Sequence, residues 1–188
     1  MIKNYIKHIK TINLHKKYVY QSCKKMGIPL QGLLHDLSKY SPTELSVAKY
    51  YLGTGSPHNK CREINGYSES WLHHKYRNKH HWQFWLDDSE TGEFIPIKMP
   101  YKYVIESVCD MIGAGKAYGE DKWTTKEPLK YWNNKCEGKR LMNPTSLDFQ
   151  RRLLQVLASY ENEDDFYNWY NNSKEKLELD YNRDVIKF

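Results

Sequence analysis

The sequence has no hydrophobic run that could cross a membrane, because no stretch of about 18 consecutive apolar residues occurs in it. Its first residues also lack the apolar block and small-residue cleavage site of a signal peptide. The four cysteines are far apart in the chain and form no Cys-x-x-Cys motif. We therefore expect a cytoplasmic protein with reduced thiols and no membrane partner.

Basic residues only slightly outnumber acidic ones. The 29 basic and 23 acidic residues give a net charge of +6. Such a balance favours anionic partners such as nucleotides or phosphate esters, and it is equally typical of an ordinary solvated surface. The 16 tyrosines and 6 tryptophans suit either a core with polar tips or a site that stacks bases.

Internal repeats, low-complexity segments and the pattern of a central sheet are all absent from the sequence. Apolar residues recur instead at steps of three and four, which predicts an all-α protein of one domain. We expect a core over residues 1–120 and a C-terminal helical extension over 121–188. Residues 53–66 are predicted as a loop and residues 87–98 as a turn with a short hairpin. Helices are predicted at 2–26, 30–39, 42–52, 67–76, 100–118, 144–160 and 163–179, and a further helix is predicted to open at the capping box 124–127 and to run to about residue 136.

The tract 34–39 (Leu-His-Asp-Leu-Ser-Lys) contains the pair on which the functional prediction depends. The imidazole of His35 is a neutral nitrogen donor, and the carboxylate of Asp36 is an anionic oxygen donor that can bridge two ions. Leucines flank the pair, and an unpaired carboxylate would be costly to bury among them. A His-Asp pair alone is weak evidence, so its meaning depends on other ligand-type residues.

Further ligand-type residues are predicted to face the core. His15 lies three residues after Ile12 and four before Val19 on the apolar stripe of the first helix. Each candidate alone also fits a structural role, such as a half-buried histidine bonded to a backbone carbonyl. Together they combine imidazole and carboxylate, the mixture that suits Fe, Mn, Zn, Co or Ni. In chain order the candidates are His15, His35, Asp36, His73, His74, His80, His81 and Asp110.

The order His, His-Asp, His, His, Asp over successive helices resembles the HD-domain superfamily of metal-dependent hydrolases. The resemblance implies an HD-like helical bundle with a metal site in its core. It also implies one metal bound by the first His, the His-Asp pair and the last Asp, and a second metal where two further histidines are present. Of the two His-His pairs we prefer His74 and His80, with His73 and His81 as second choices. The first-metal residues would be His15, His35, Asp36 and Asp110.

The tract 35–39 is similar to the His-Asp-x-Gly-Lys form of some two-metal phosphodiesterases, with Ser38 where glycine is usual. This similarity makes Lys39 a candidate phosphate contact, and Arg77 is a second candidate. Residues 15–118 also look like an uncharacterised family of bacterial and phage proteins. That likeness is carried by the tracts 32–44, 71–74, 78–82 and 99–100, and the tail from about residue 120 lies outside it.

The implied function is a metal-dependent phosphohydrolase that acts on a nucleotide or other small phosphate ester with one or two divalent transition-metal ions. Asp36 would be the bridging carboxylate, and Lys39 and Arg77 would stabilise the phosphate. The same ligand order also serves di-iron oxygenases such as inositol oxygenase, which is the second hypothesis. The third is a non-enzymatic nucleic-acid-binding module; it ranks last because no groove-reading motif occurs and basic residues alternate with acidic ones.

Overall fold

The structure is a computed structural model that describes residues 2–53, 55–135 and 138–185. Over these ranges it confirms the all-α prediction, with one short hairpin as the exception. The α-helices are α1 (Ile2–Lys25), α2 (Pro29–Leu34), α3 (Pro42–Leu45), α4 (Pro57–Asn65), α5 (Glu69–Lys75), α6 (Tyr101–Gly119), α7 (Glu127–Lys135), α8 (Pro144–Ser159) and α9 (Glu163–Asn182). The strands are β1 (Leu86–Asp88) and β2 (Phe94–Pro96), and 3-10 helices cover Leu37–Tyr40, Ser46–Tyr50, Trp82–Trp85 and Glu120–Lys122.

Helices α1 and α6 pack closely side by side, and this contact brings two of the candidate ligands together. A Cβ atom at Gly113 would lie 2.4 Å from Cγ2 of Val19, so only glycine allows this approach of the two helices. His15 lies on α1 and Asp110 on α6, one turn from the contact on each helix. The helical periodicity that predicted both residues to face inward is therefore confirmed.

A second set of contacts covers α6 with the C-terminal helices. Side chains of α1, α6, α8 and α9 form one apolar cluster that includes Val19, Val108, Phe149 and Phe166, all almost completely buried. Burial of a large apolar side chain contributes about 1.5–3 kcal/mol, so this cluster is the main source of stability. The chain beyond residue 120 thus supplies much of the cover over α6.

The predicted helix over 30–39 is wrong in its second half. Helix α2 ends at Leu34, and Asp36 has a positive φ of 54°, in the left-handed region that a non-glycine residue rarely adopts. A 3-10 helix follows at Leu37–Tyr40. Neighbouring residues on a continuous helix point about 100° apart. Breaking the helix here lets the side chains of His35 and Asp36 turn toward the same point.

Two other local predictions are corrected. The segment 53–66, predicted as a loop, contains α4, because Pro57 stands at the first helical position and Gly66 ends the helix with φ 78°. The helix predicted over 42–52 is α-helical only in α3 and continues as a 3-10 helix to Tyr50. The predicted hairpin is confirmed, with Leu86 paired to Pro96 in antiparallel register.

None of the helices within the described residues is both long enough and apolar enough to span a bilayer. The thiols of Cys23, Cys61 and Cys109 are free, and Cys136 lies outside the described residues.

Candidate metal centre

Four of the predicted ligands form a first group in which the ligand atoms all lie within 4.8 Å of one another: His15, His35, Asp36 and Asp110. The Nε2 atom of His15 lies 3.1 Å from Oδ1 of Asp110, and Nε2 of His35 lies 3.2 Å from Oδ2 of Asp36. The two imidazole Nε2 atoms are 3.4 Å apart. Three separate segments thus direct two nitrogens and two oxygens at one point.

A second group lies on the other side of Asp36 and consists of Asp36, His74, His80 and His81. The Nε2 atoms of His74 and His80 are both 3.5 Å from Oδ1 of Asp36. The first group faces Oδ2 of the same carboxylate. Asp36 therefore occupies the position of a bridge between two sets of ligands.

Two buried glutamates orient the histidines of both groups. Oε2 of Glu44 accepts a hydrogen bond from Nδ1 of His74 at 2.8 Å. Oε1 of Glu106 lies 3.0 Å from Nδ1 of His35 and 3.2 Å from Nδ1 of His80. A carboxylate that accepts the Nδ1 proton directs the Nε2 lone pair away from itself, toward the ligand cluster. This arrangement is typical of metal-binding histidines.

Neither glutamate was predicted as a site residue. The tract 41–44 was interpreted as a capping box, and the Ser41 hydroxyl does accept from the Glu44 N–H at 3.3 Å. The side chain of Glu44, however, turns to the histidines of α5. Glu106 lies four residues before Asp110 on α6, and this spacing on one helical face is a signal that could have identified it.

The donor atoms that face the centre are buried, and several have no partner among the described residues. Oδ1 of Asp36, Nε2 of His80 and Nε2 of His81 have no hydrogen-bond partner in the part of the chain that the structure describes. Unpaired polar atoms at such depth are costly, and most proteins satisfy them. Imidazole nitrogens and carboxylate oxygens are the donors that a divalent transition metal prefers, so the residues fit such an ion. The left-handed backbone of Asp36 is a further local strain located at this point.

Opposite charges within the cluster shift its pKa values against the direction that burial alone would give. Burial disfavours the charged form of Asp36, yet His35 and Lys39 hold the pKa of its carboxyl well below the usual range. Burial also opposes charge on His35, but Asp36, Asp110 and Glu106 keep its pKa well above the usual value. Without a metal, a proton on His35 therefore partly balances the carboxylates. A metal ion would replace that proton.

The remaining predicted site residues differ in position. Nζ of Lys39 lies 2.6 Å from Oδ2 of Asp36, which places its ammonium group beside the centre. His73 is partly exposed and its Nδ1 bonds Oε1 of Glu44 at 2.7 Å, outside both ligand groups. Arg77 is exposed in the turn after α5 and belongs to neither ligand group.

A cavity of about 180 Å³ opens next to the centre. Lys39, Glu44, Trp71 and Tyr118 are among its walls, together with two histidines that were not predicted as site residues, His8 and His58. Burial is the largest cause that lowers the pKa of His8 to about 4 and that of His58 to about 3. Both imidazoles are therefore neutral at physiological pH and able to donate or accept hydrogen bonds.

A family model described as a family of unknown function (DUF5662) matches residues 4–179. The chain belongs to this family. No curated protein and no solved structure matches the chain. The match includes α7, α8 and most of α9, so the expected end of family likeness near residue 120 is not seen for this family. The C-terminal helices that cover α6 are part of the family's common sequence.

Proposed function

We propose that this protein is a metal-dependent phosphohydrolase that acts on a nucleotide or another small phosphate ester. The observation that carries the proposal is the position of Asp36, whose two buried oxygens face two different sets of histidine nitrogens. The order of these ligands along the chain resembles that of the HD-domain superfamily, which supports the same reaction class. The helical bundle around the centre agrees with that likeness.

The residues divide into two ligand sets that share Asp36. His15, His35 and Asp110 would complete one set, and His74 and His80 the other, with His81 next to them. One or two ions of Fe, Mn, Zn, Co or Ni, when bound, would acidify a water molecule and neutralise phosphate oxygens. Glu44 and Glu106 keep the imidazoles in the orientation that such ligation requires.

The positive charge of Lys39 favours a substrate that is an anion. Burial works against its charge, but Asp36 and Asp110 raise the pKa of its amine, so the side chain remains an ammonium ion beside the cavity. In the substrate-free protein this ammonium contacts Asp36, and we propose that a phosphate oxygen becomes an additional partner. The neutral imidazoles of His8 and His58 can donate hydrogen bonds to the same ligand.

We propose a cytoplasmic location for this activity. The free thiols of Cys23, Cys61 and Cys109 support a reducing compartment.

The test is phosphate release from p-nitrophenyl phosphate and from nucleoside monophosphates, measured after loading with each of the five metals. Asp36→Asn should abolish turnover, because the amide is not an anionic bridge, while asparagine tolerates the left-handed backbone at this position. Asp87→Asn, at an exposed position in β1, is the matched control and should retain wild-type turnover. Equal turnover in Asp36→Asn and the wild type would contradict the proposal. Oxygen consumption by the iron-loaded protein with a polyol, without phosphate release, would instead favour the oxygenase.

A further inference from the structure

A second cavity, of about 120 Å³, lies beside the first, and it extends from His80, His81 and Asp110 of the ligand groups to residues outside those groups. The two cavities share four wall residues, Trp71, His81, Asp110 and Tyr131. A molecule with its phosphate at the metal centre could therefore place another part of itself in this second space. The chemistry of that part can be inferred from the walls.

Arg140 presents hydrogen-bond donors in this cavity. Its Nη1 donates to Oε1 of Gln150 at 2.9 Å, and Gln150 is only 2% exposed. Gln150 is itself held by Trp132, whose Nε1 donates to it at 3.1 Å, and by Ser107, which accepts from its Nε2 at 2.6 Å. One edge of the guanidinium is thus fixed in place. A guanidinium has five N–H donors in a planar fork, so donors remain for a ligand.

Gln83 presents an acceptor in the same cavity. Its Oε1 atom is buried and has no hydrogen-bond partner among the described residues. A buried unpaired carbonyl oxygen is costly, and a ligand N–H would satisfy it. Arg140 and Gln83 thus bring a donor group and an acceptor group to the walls of this space.

The remaining walls are rich in aromatic rings, with Trp71, Trp82 and Tyr131 among them. Aromatic side chains stack on nucleobases, and because all four bases have a π-face, such stacking does not require one particular base. A small anion would leave the oxygen of Gln83 unpaired and would lie near the carboxylate of Asp110. A planar ring that both accepts and donates hydrogen bonds suits all of these walls.

We propose that the second cavity binds the nucleobase of a nucleoside phosphate, with Arg140 donating to the base and Gln83 accepting from it. This inference rests on the proposed phosphohydrolase function, because it places the phosphate of the same molecule at the metal centre. It also gives the chain beyond residue 120 a direct contact with substrate, since Arg140 precedes α8 and Gln150 lies on it. The substrate class is thereby narrowed from phosphate esters to nucleotides.

The test separates base binding from catalysis by using metal-free protein and ligands that carry no phosphate. Saturation-transfer NMR with adenosine, guanosine, cytidine and uridine should detect binding of at least one nucleoside. Arg140→Met retains an unbranched side chain but removes the donors, and Gln83→Leu removes the acceptor. Each change should weaken binding about tenfold, as expected for the loss of a hydrogen bond in a dry site.

Two further variants keep this test decisive. Arg183→Met also removes one positive charge, but at an exposed position at the end of α9 that does not line the cavity. It should leave nucleoside affinity unchanged. Arg140→Lys retains the positive charge without the planar fork and should weaken binding less than Arg140→Met. Circular dichroism melts of all variants show whether each is folded.

The outcomes also distinguish this inference from the proposed function. Absence of nucleoside binding, or equal binding by wild type and folded Arg140→Met, would overturn the inference even if p-nitrophenyl phosphate is hydrolysed. Nucleoside binding that depends on Arg140 and Gln83, without metal-dependent phosphate release, would support the base site and contradict the proposed phosphohydrolase activity.

Discussion

Helix α6 takes part in two buried regions that are built in opposite ways. One is the apolar core, in which buried tyrosine hydroxyls all find partners. Tyr170 bonds Tyr101 at 3.2 Å, and the hydroxyls of Tyr167 and Tyr181 bond the serines Ser22 and Ser146. The other is the ligand cluster around Glu106 and Asp110, where buried oxygen and nitrogen atoms lack partners among the described residues. The first region pairs its buried hydroxyls within the protein, whereas the second leaves donor atoms that we propose a cation would bind.

The two regions also differ in the length of the helices that build them. Helices α8 and α9 are 16 and 20 residues long and contribute regular apolar faces. The ligand cluster is carried partly by short elements, with α2 of 6 residues, α3 of 4 residues and the left-handed Asp36 between them. Short helices gain little stability from their own hydrogen bonds. The positions of the ligands on these short elements therefore depend on the packing of the surrounding helices.

The largest expected effect is on the apolar side of this comparison. Phe166 is completely buried, and Phe166→Ala should lower the free energy of unfolding by about 3–5 kcal/mol, through lost burial and a cavity. Urea denaturation of the metal-free protein measures the change. Phe94→Ala, on a strand residue that is 65% exposed, should change it by less than about 0.5 kcal/mol.

The metal content of Phe166→Ala tests whether the apolar core and the ligand cluster are separable. Because Phe166 lies on α9, which carries none of the ligand residues, the folded fraction of Phe166→Ala should still bind metal with the wild-type stoichiometry. Loss of metal from folded Phe166→Ala would show that the two regions are not separable.

The next effect concerns the histidine orientation that Glu106 supplies. Glu106→Gln keeps the shape of the side chain but removes the anion that accepts from His35 and His80. Metal affinity should fall about 10–100-fold, the usual effect of losing a group that orients a ligand. Competition titration against a chelator measures it, and Glu175→Gln, exposed on α9, is the matched control. Equal affinities in the two variants would contradict the role of Glu106.

The smallest expected effect is the change in metal affinity per pH unit. The pKa of His35 is raised, so the metal-free protein keeps a proton there at neutral pH, and metal binding must release it. Affinity should therefore rise with pH, by up to about tenfold per unit for one released proton, between about pH 6 and pH 8. The same competition titration measures this slope, and a flat profile would show that no proton is displaced.

Helical periodicity was enough to predict parts of the fold and site that depend on regular structure. It predicted α1 and α6 nearly to the residue and placed His15 and Asp110 on their inward faces. It could not predict the turn at His35 and Asp36, because the left-handed conformation there is a strain that only the surrounding packing maintains. The local sequence pattern still favoured a continuous helix.

The other features that the sequence did not predict depend on their structural context, mainly on contacts between distant segments. Glu44 has a satisfactory local role as the third residue of a capping box, so nothing local indicated its bond to His74, 30 residues away. Pro57 and Gly66 are helix breakers in sequence terms, yet here they mark the two ends of α4. Arg140, which lines the second cavity, donates to Gln150 on α8, and this contact was not indicated by the local sequence.

The proposed bridging role of Asp36 is tested by the metal content of protein purified without chelator, measured for the wild type and for Asp36→Asn. We expect about two transition-metal ions per chain in the wild type, as in two-metal hydrolases, and loss of both in the variant. An unchanged melting curve for the metal-free variant would show that the loss is local. Absence of bound metal after incubation with Mn, Fe, Co, Ni and Zn, or equal metal content in Asp36→Asn, would contradict a metal centre around Asp36.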